Sequence, residues 1–73
     1  MNGNEIGERI AALRKQFGMS KRAMAKMLQV SYSAACSWEY GLRVPSDEMK
    51  VKIANLFGTS VEAIFYSGKY HET

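Results

Sequence analysis

The sequence predicts an all-α fold: one compact domain of five short helices. Three observations carry that prediction. Apolar residues recur at helical spacing, most plainly Ile6, Ile10, Leu13 and Phe17 at i, i+4, i+7 and i+11. Helix-starting hydroxyls (Ser20, Ser31, Ser46) alternate with helix-stopping glycines (Gly18, Gly41, Gly58). No stretch alternates apolar and polar residues as a half-buried strand does.

The first helix is predicted over residues 5–17, with Asn4 placed to cap it and residues 1–4 frayed. Arg9, Arg14 and Lys15 fall off its apolar stripe. Gly7 inside it costs up to ~1 kcal/mol relative to alanine, which a closely packed neighbour would explain. Residues 20–41 then read as two helices joined by a tight turn, about 21–28 and 32–40. Met24, Ala25 and Leu28 share one face of the former, Ala35 and Trp38 one face of the latter. Ala25 is small enough to let the helices cross closely, and Val30 closes the corner. Gln29 sits where a left-handed stop is needed and glycine is easier, so strain is expected there. Pro45 ends the loop after Gly41. A fourth helix opens at Ser46, with Asp47 and Glu48 suited to the helix dipole, and buries Met49, Ile53, Leu56 and Phe57. Thr59 and Glu62 have capping-box spacing, so a fifth helix is expected over 60–66, with Ile64 inward. The domain is expected to span 1–66, with 67–73 a short polar tail.

Seventy-three residues make one domain with a small core. The single cysteine excludes an internal disulfide and a cysteine-based zinc site. No apolar run approaches the ~20 residues of a membrane span. The opening MNGNEIGER lacks the pattern of a secretory signal, and a cytoplasmic location is expected. The net charge of +3 is uneven. Between Arg14 and Arg43 lie six cations and one acid, Glu39, while the remainder carries four cations and six acids. The basic charge gathers around the two-helix unit, as a footprint for a polyanion would. Outward on the second helix of that unit lie Tyr32, Ser33, Ala34, Cys36 and Ser37, with no acid. Such a face suits a DNA major groove.

Several sequence pieces occur in one order: Ile6-Gly7-Glu8-Arg9-Ile10, Leu13-Arg14, Gly18-Met19-Ser20, Met24-Ala25, Val30-Ser31, Trp38-Glu39-Tyr40-Gly41, Arg43, Pro45-Ser46, Ile53-Ala54 and Gly58-Thr59-Ser60. In these the chain resembles the lambda-repressor-like, Cro/repressor-type (XRE) helix-turn-helix family over roughly residues 6–65. The resemblance implies a five-helix domain that binds double-stranded operator DNA as a two-fold dimer. It implies base-edge contacts from Tyr32, Ser33, Ala34 and Ser37, and backbone contacts from Lys21, Arg22, Tyr40 and Arg43. It further suggests a homodimer through the C-terminal helix region, at Phe65 and Tyr66. Ala35 stands where relatives carry Ile or Val, Gln29 where glycine is common, and Lys50 where leucine is frequent. The outer face of residues 32–40 lacks Arg, Gln and Asn, which pair bidentately with bases. Specificity is then expected from Tyr32, serine hydroxyls, bridging waters and DNA shape.

Trp38 is read as core, the methionines as gap fillers, and Lys50, Lys52 and Lys69 as solvated. Phe65, Tyr66 and Tyr70 either finish the core or form the self-association surface. His71 has no second metal ligand nearby, and Cys36 has no neighbour marking it as a redox sensor. No catalytic residue, metal, cofactor or small-molecule ligand is expected: paired carboxylates, metal spacing, phosphate loop and nucleophile elbow are all missing. The leading expectation is a transcriptional regulator, most naturally a repressor. The alternative is a protein-interaction module, antitoxin-like or antirepressor-like, that keeps the fold.

Overall fold

The computed structural model describes residues 3–66. Four α-helices run in order: α1 (Gly3–Gln16), α2 (Lys21–Leu28), α3 (Tyr32–Glu39) and α4 (Asp47–Leu56). A short π-helical turn, α5 (Glu62–Tyr66), follows them, and the described residues contain no strand. Helix α3 packs against both α1 and α2; α2 also meets α4, and α5 returns to α1.

Local chemistry sets the helix ends. Ser20, Ser31 and Ser46 occupy N-cap positions in extended backbone. Their hydroxyls accept from the N–H of Ala23 (3.0 Å), Ala34 (3.0 Å) and Met49 (3.2 Å). Each of α1 to α4 ends in the same paired pattern. At α2, Gln29 N–H donates to the Lys26 carbonyl and Val30 N–H to that of Ala25, at 3.1 and 2.9 Å. Gly18, Gly41 and Gly58 supply the left-handed residue at the other three ends. Gln29 must do so at φ 61° with a side chain attached, so the expected strain is present.

The core is one cluster to which every helix contributes. Ile6 and Ile10 come from α1, Met24, Ala25 and Leu28 from α2, and Ala35 and Trp38 from α3. Ile53 and Ala54 come from α4, and Ile64 and Phe65 from α5. Phe57 closes the C-terminal end of α4. Gly7 explains the approach of α1 to α3. A Cβ built there would lie 2.5 Å from the carbonyl oxygens of both Trp38 and Glu39. Only glycine lets these two backbones come so close.

Six expectations need correction. Asn4 lies inside α1, which begins at Gly3, and is not its cap. Phe17 follows α1 and is 52% exposed, resting edge-on against the Phe57 ring at 5.3 Å between centroids. Arg14 is buried, because its partner comes from α3. Lys50 is largely covered; its ammonium donates to the Tyr66 hydroxyl at 3.0 Å and lies over the Phe65 ring. The cap of the last turn is Ser60, whose hydroxyl accepts from Ala63 N–H at 3.1 Å, and not Thr59. Phe65 is 1% exposed and completes the chain's own core, so it cannot also form a self-association surface. The tail assignments, including Lys69, Tyr70 and His71, lie outside the described residues.

Candidate nucleic-acid interface

The N-terminal ends of α2 and α3 lie side by side, held by the turn at Gln29–Ser31, by burial of Ala25 and Ala35, and by the half-buried Val30 packed against the core. Between them opens a shallow concavity of about 390 Å³, lined by Arg14, Ser20, Lys21, Arg22 and Tyr32. Four of the eight residues expected to touch DNA form two cation–aromatic pairs here. The Lys21 ammonium sits 4.7 Å from the Tyr40 ring centroid and donates to its hydroxyl at 3.3 Å. The Arg22 guanidinium lies 4.5 Å from the Tyr32 ring centroid. Each pair links α2 to one end of α3, so the charges are placed by the fold rather than left to wander.

These contacts also set protonation. The bond to Tyr40 raises the Lys21 pKa, outweighing slight desolvation, so the ammonium stays charged well above neutrality. A hydrogen bond with Cys36 raises the Tyr32 phenol above its ordinary value, while Lys21 and Arg22 pull the other way. Tyr32 therefore presents a neutral ring and hydroxyl at physiological pH.

Along the outer side of α3, Tyr32 and Ser33 are exposed. Ala34 is half-buried and packs partly against the core, so less of its methyl is offered than the sequence suggests. Ser37 is half-buried too, and its hydroxyl donates to the Ser33 carbonyl at 3.0 Å. Its proton is used within the helix, leaving only acceptor capacity for a ligand. Tyr40 (61% exposed) and Arg43 flank the C-terminal end of α3.

Behind this surface lies a brace that the sequence pattern did not mark. Arg14 grips Glu39 through two bonds, Nε to Oε2 at 2.6 Å and Nη2 to Oε1 at 3.1 Å. A third donor, Nη1, reaches the Met19 carbonyl at 2.9 Å. The two side chains are 10% and 4% exposed. This forked pair ties the C-terminal end of α1 to that of α3, and its hydrogen bonds raise the Arg14 pKa further. It also removes Glu39, the lone acid of the basic stretch, from the surface. Lys15, Lys21, Arg22, Lys26 and Arg43 then remain between positions 14 and 43 with no acid among them. Glu39's solitude among cations was the available signal; its partner, 25 positions away, was not readable from helix periodicity.

A family model described as Helix-turn-helix matches residues 10–64, three quarters of the chain. No curated protein and no solved structure matches.

Proposed function

Because the chain belongs to the helix-turn-helix family, of the Cro/repressor (XRE) type, we propose that it is a sequence-specific regulator of transcription, a repressor that binds a two-fold operator as a dimer in the cytoplasm. Family membership makes the domain a DNA-binding one rather than a member of an enzyme family. The observation that carries the finer reading is the acid-free edge around the start of α3. There Arg22 is held on the exposed Tyr32 beside Ser33, and Lys21, next to it on α2, is held on Tyr40 at the far end of α3.

In this reading Lys21, Arg22, Tyr40 and Arg43 hold phosphates, releasing counterions and fixing the register of the domain. The N-terminal part of α3 then meets base edges in the major groove through Tyr32 and Ser33, with Ala34 and Ser37 contributing less than their sequence positions suggest. Two copies about 34 Å apart would engage successive major grooves on one side of the duplex. At the C-terminal end Tyr66, not Phe65, is the residue left to contribute to such a dimer. Occupying a promoter in this way excludes polymerase sterically. The alternative, a protein-interaction module, draws on the weak hydrogen-bonding face of α3 and on apolar C-terminal residues; burial of Phe65 narrows the second support to Tyr66, while the first stands.

The test is the salt dependence of duplex binding by the wild-type chain and Lys21→Glu. The wild type is expected to show a log–log slope of about −0.9 for each phosphate held. Lys21→Glu should weaken binding to every duplex and flatten the slope by about 1. Binding that ignores both salt and Lys21→Glu would refute the DNA reading.

A further inference from the structure

The outer face of α3 contains no residue able to pair bidentately with a base. Helix α2 supplies one. Arg22 is exposed and makes no hydrogen bond or ion pair with the described residues. Its planar group lies 4.5 Å from the ring centroid of Tyr32, the first residue of α3. A ring contact engages no hydrogen-bond acceptor, so the N–H donors of the guanidinium remain available to a ligand. It also fixes a long side chain that would otherwise lose rotamer entropy on binding. The pair stands on the rim of the 390 Å³ concavity, at the end of α3 that approaches base edges in helix-turn-helix docking.

We infer that Arg22 is a specificity-determining residue: held on the Tyr32 ring, its guanidinium reads a guanine in the major groove through O6 and N7. The inference rests on the DNA reading above and moves Arg22 from the phosphate-contacting group to the base-reading group. Tyr32 becomes a positioning residue through its ring, independent of its hydroxyl. Lysine replaces Arg22 poorly here, since an ammonium reaches the same acceptors without the planar fork that fixes the geometry.

The experiment is selection of bound duplexes from a random library by the full chain, in parallel for wild type, Arg22→Lys, Tyr32→Phe and Tyr32→Ala. Both positions are exposed, and circular dichroism checks that each variant folds. The wild type is expected to enrich a guanine at one fixed position of each half-site. Replacing that guanine by 7-deazaguanine, which lacks the N7 acceptor, should weaken wild-type binding about tenfold or more. Arg22→Lys should keep the rest of the motif and the salt slope while the guanine preference falls several-fold. Tyr32→Phe should keep it, and Tyr32→Ala should lose it at the same position. A guanine preference undiminished in Arg22→Lys, or a wild-type motif without such a guanine, overturns the assignment of Arg22 while leaving DNA reading intact. Loss at a different position in Tyr32→Ala overturns the positioning role of the ring. A wild type that enriches no motif refutes the functional reading itself.

Discussion

Gly7→Ala sets two terms of opposite sign against each other. Alanine is the better helix former in the interior of α1, by up to ~1 kcal/mol. The new methyl would, however, stand 2.5 Å from the carbonyl oxygens of Trp38 and Glu39. Both obstacles are backbone, so no side chain can turn aside. Restoring ordinary contact requires α1 and α3 to part by about 1 Å. Overpacking of this kind typically costs 1–3 kcal/mol, occasionally more. Parting the helices also pulls on the Arg14–Glu39 pair, 2.6 Å long and shut away from water, which cannot be replaced by hydration. With both obstacles backbone, the strain lies in the upper part of that range and outweighs the propensity term, leaving a net loss of about 1–2 kcal/mol. Urea unfolding followed by the fluorescence of Trp38, the only tryptophan, measures it. The midpoint should fall with an unchanged slope. A midpoint equal to or above that of the wild type would refute the close approach of α1 to α3.

Further outcomes follow from the same geometry. Arg14→Ala should cost about 3–5 kcal/mol by stranding the buried Glu39 carboxylate, and pairing Arg14→Met with Glu39→Met should restore most of that loss in the same unfolding assay. Gln29→Gly should stabilise by roughly 0.5–1 kcal/mol, since the left-handed penalty of ~1–2 kcal/mol exceeds the extra chain entropy glycine brings; thermal unfolding reads the gain. Trp38→Ala should cost about 3–5 kcal/mol and leave so small a domain largely unfolded by circular dichroism. Tyr40→Phe keeps the ring under Lys21 but removes the acceptor, so DNA affinity should drop a few-fold with little change in stability.

Much of the fold was legible because it is governed by local chemistry. A serine hydroxyl needs only the next three residues to cap a helix, so Ser20, Ser31 and Ser46 announce α2, α3 and α4 directly. The inward faces of α2 and α3 follow from spacing alone, and Met24, Ala25, Leu28, Ala35 and Trp38 are all buried. What was not legible depends on partners distant in the chain. Arg14 looks like a surface cation within α1 and becomes a brace only when α3 brings Glu39 to it. Lys50 is covered because Tyr66 and Phe65 fold back over α4. The same applies to the candidate site. The residue types around the start of α3 were readable, but the placing of Arg22 over the Tyr32 ring and of Lys21 over the Tyr40 ring is a product of how α2 crosses α3. Ser37 illustrates the opposite error: its outward position was correct in register, yet its hydroxyl turns back onto the Ser33 carbonyl.

The central claim is that the start of α3, with the adjoining end of α2, is the surface that meets a duplex. Amide chemical-shift mapping of the labelled chain, titrated with its selected duplex, tests this most directly. The largest changes are expected at Ser20 to Ala23 and Ser31 to Ser37, with smaller ones around Tyr40 and Arg43. Changes concentrated instead on α4 and α5, with the Tyr32 and Arg22 amides unmoved, would contradict the account.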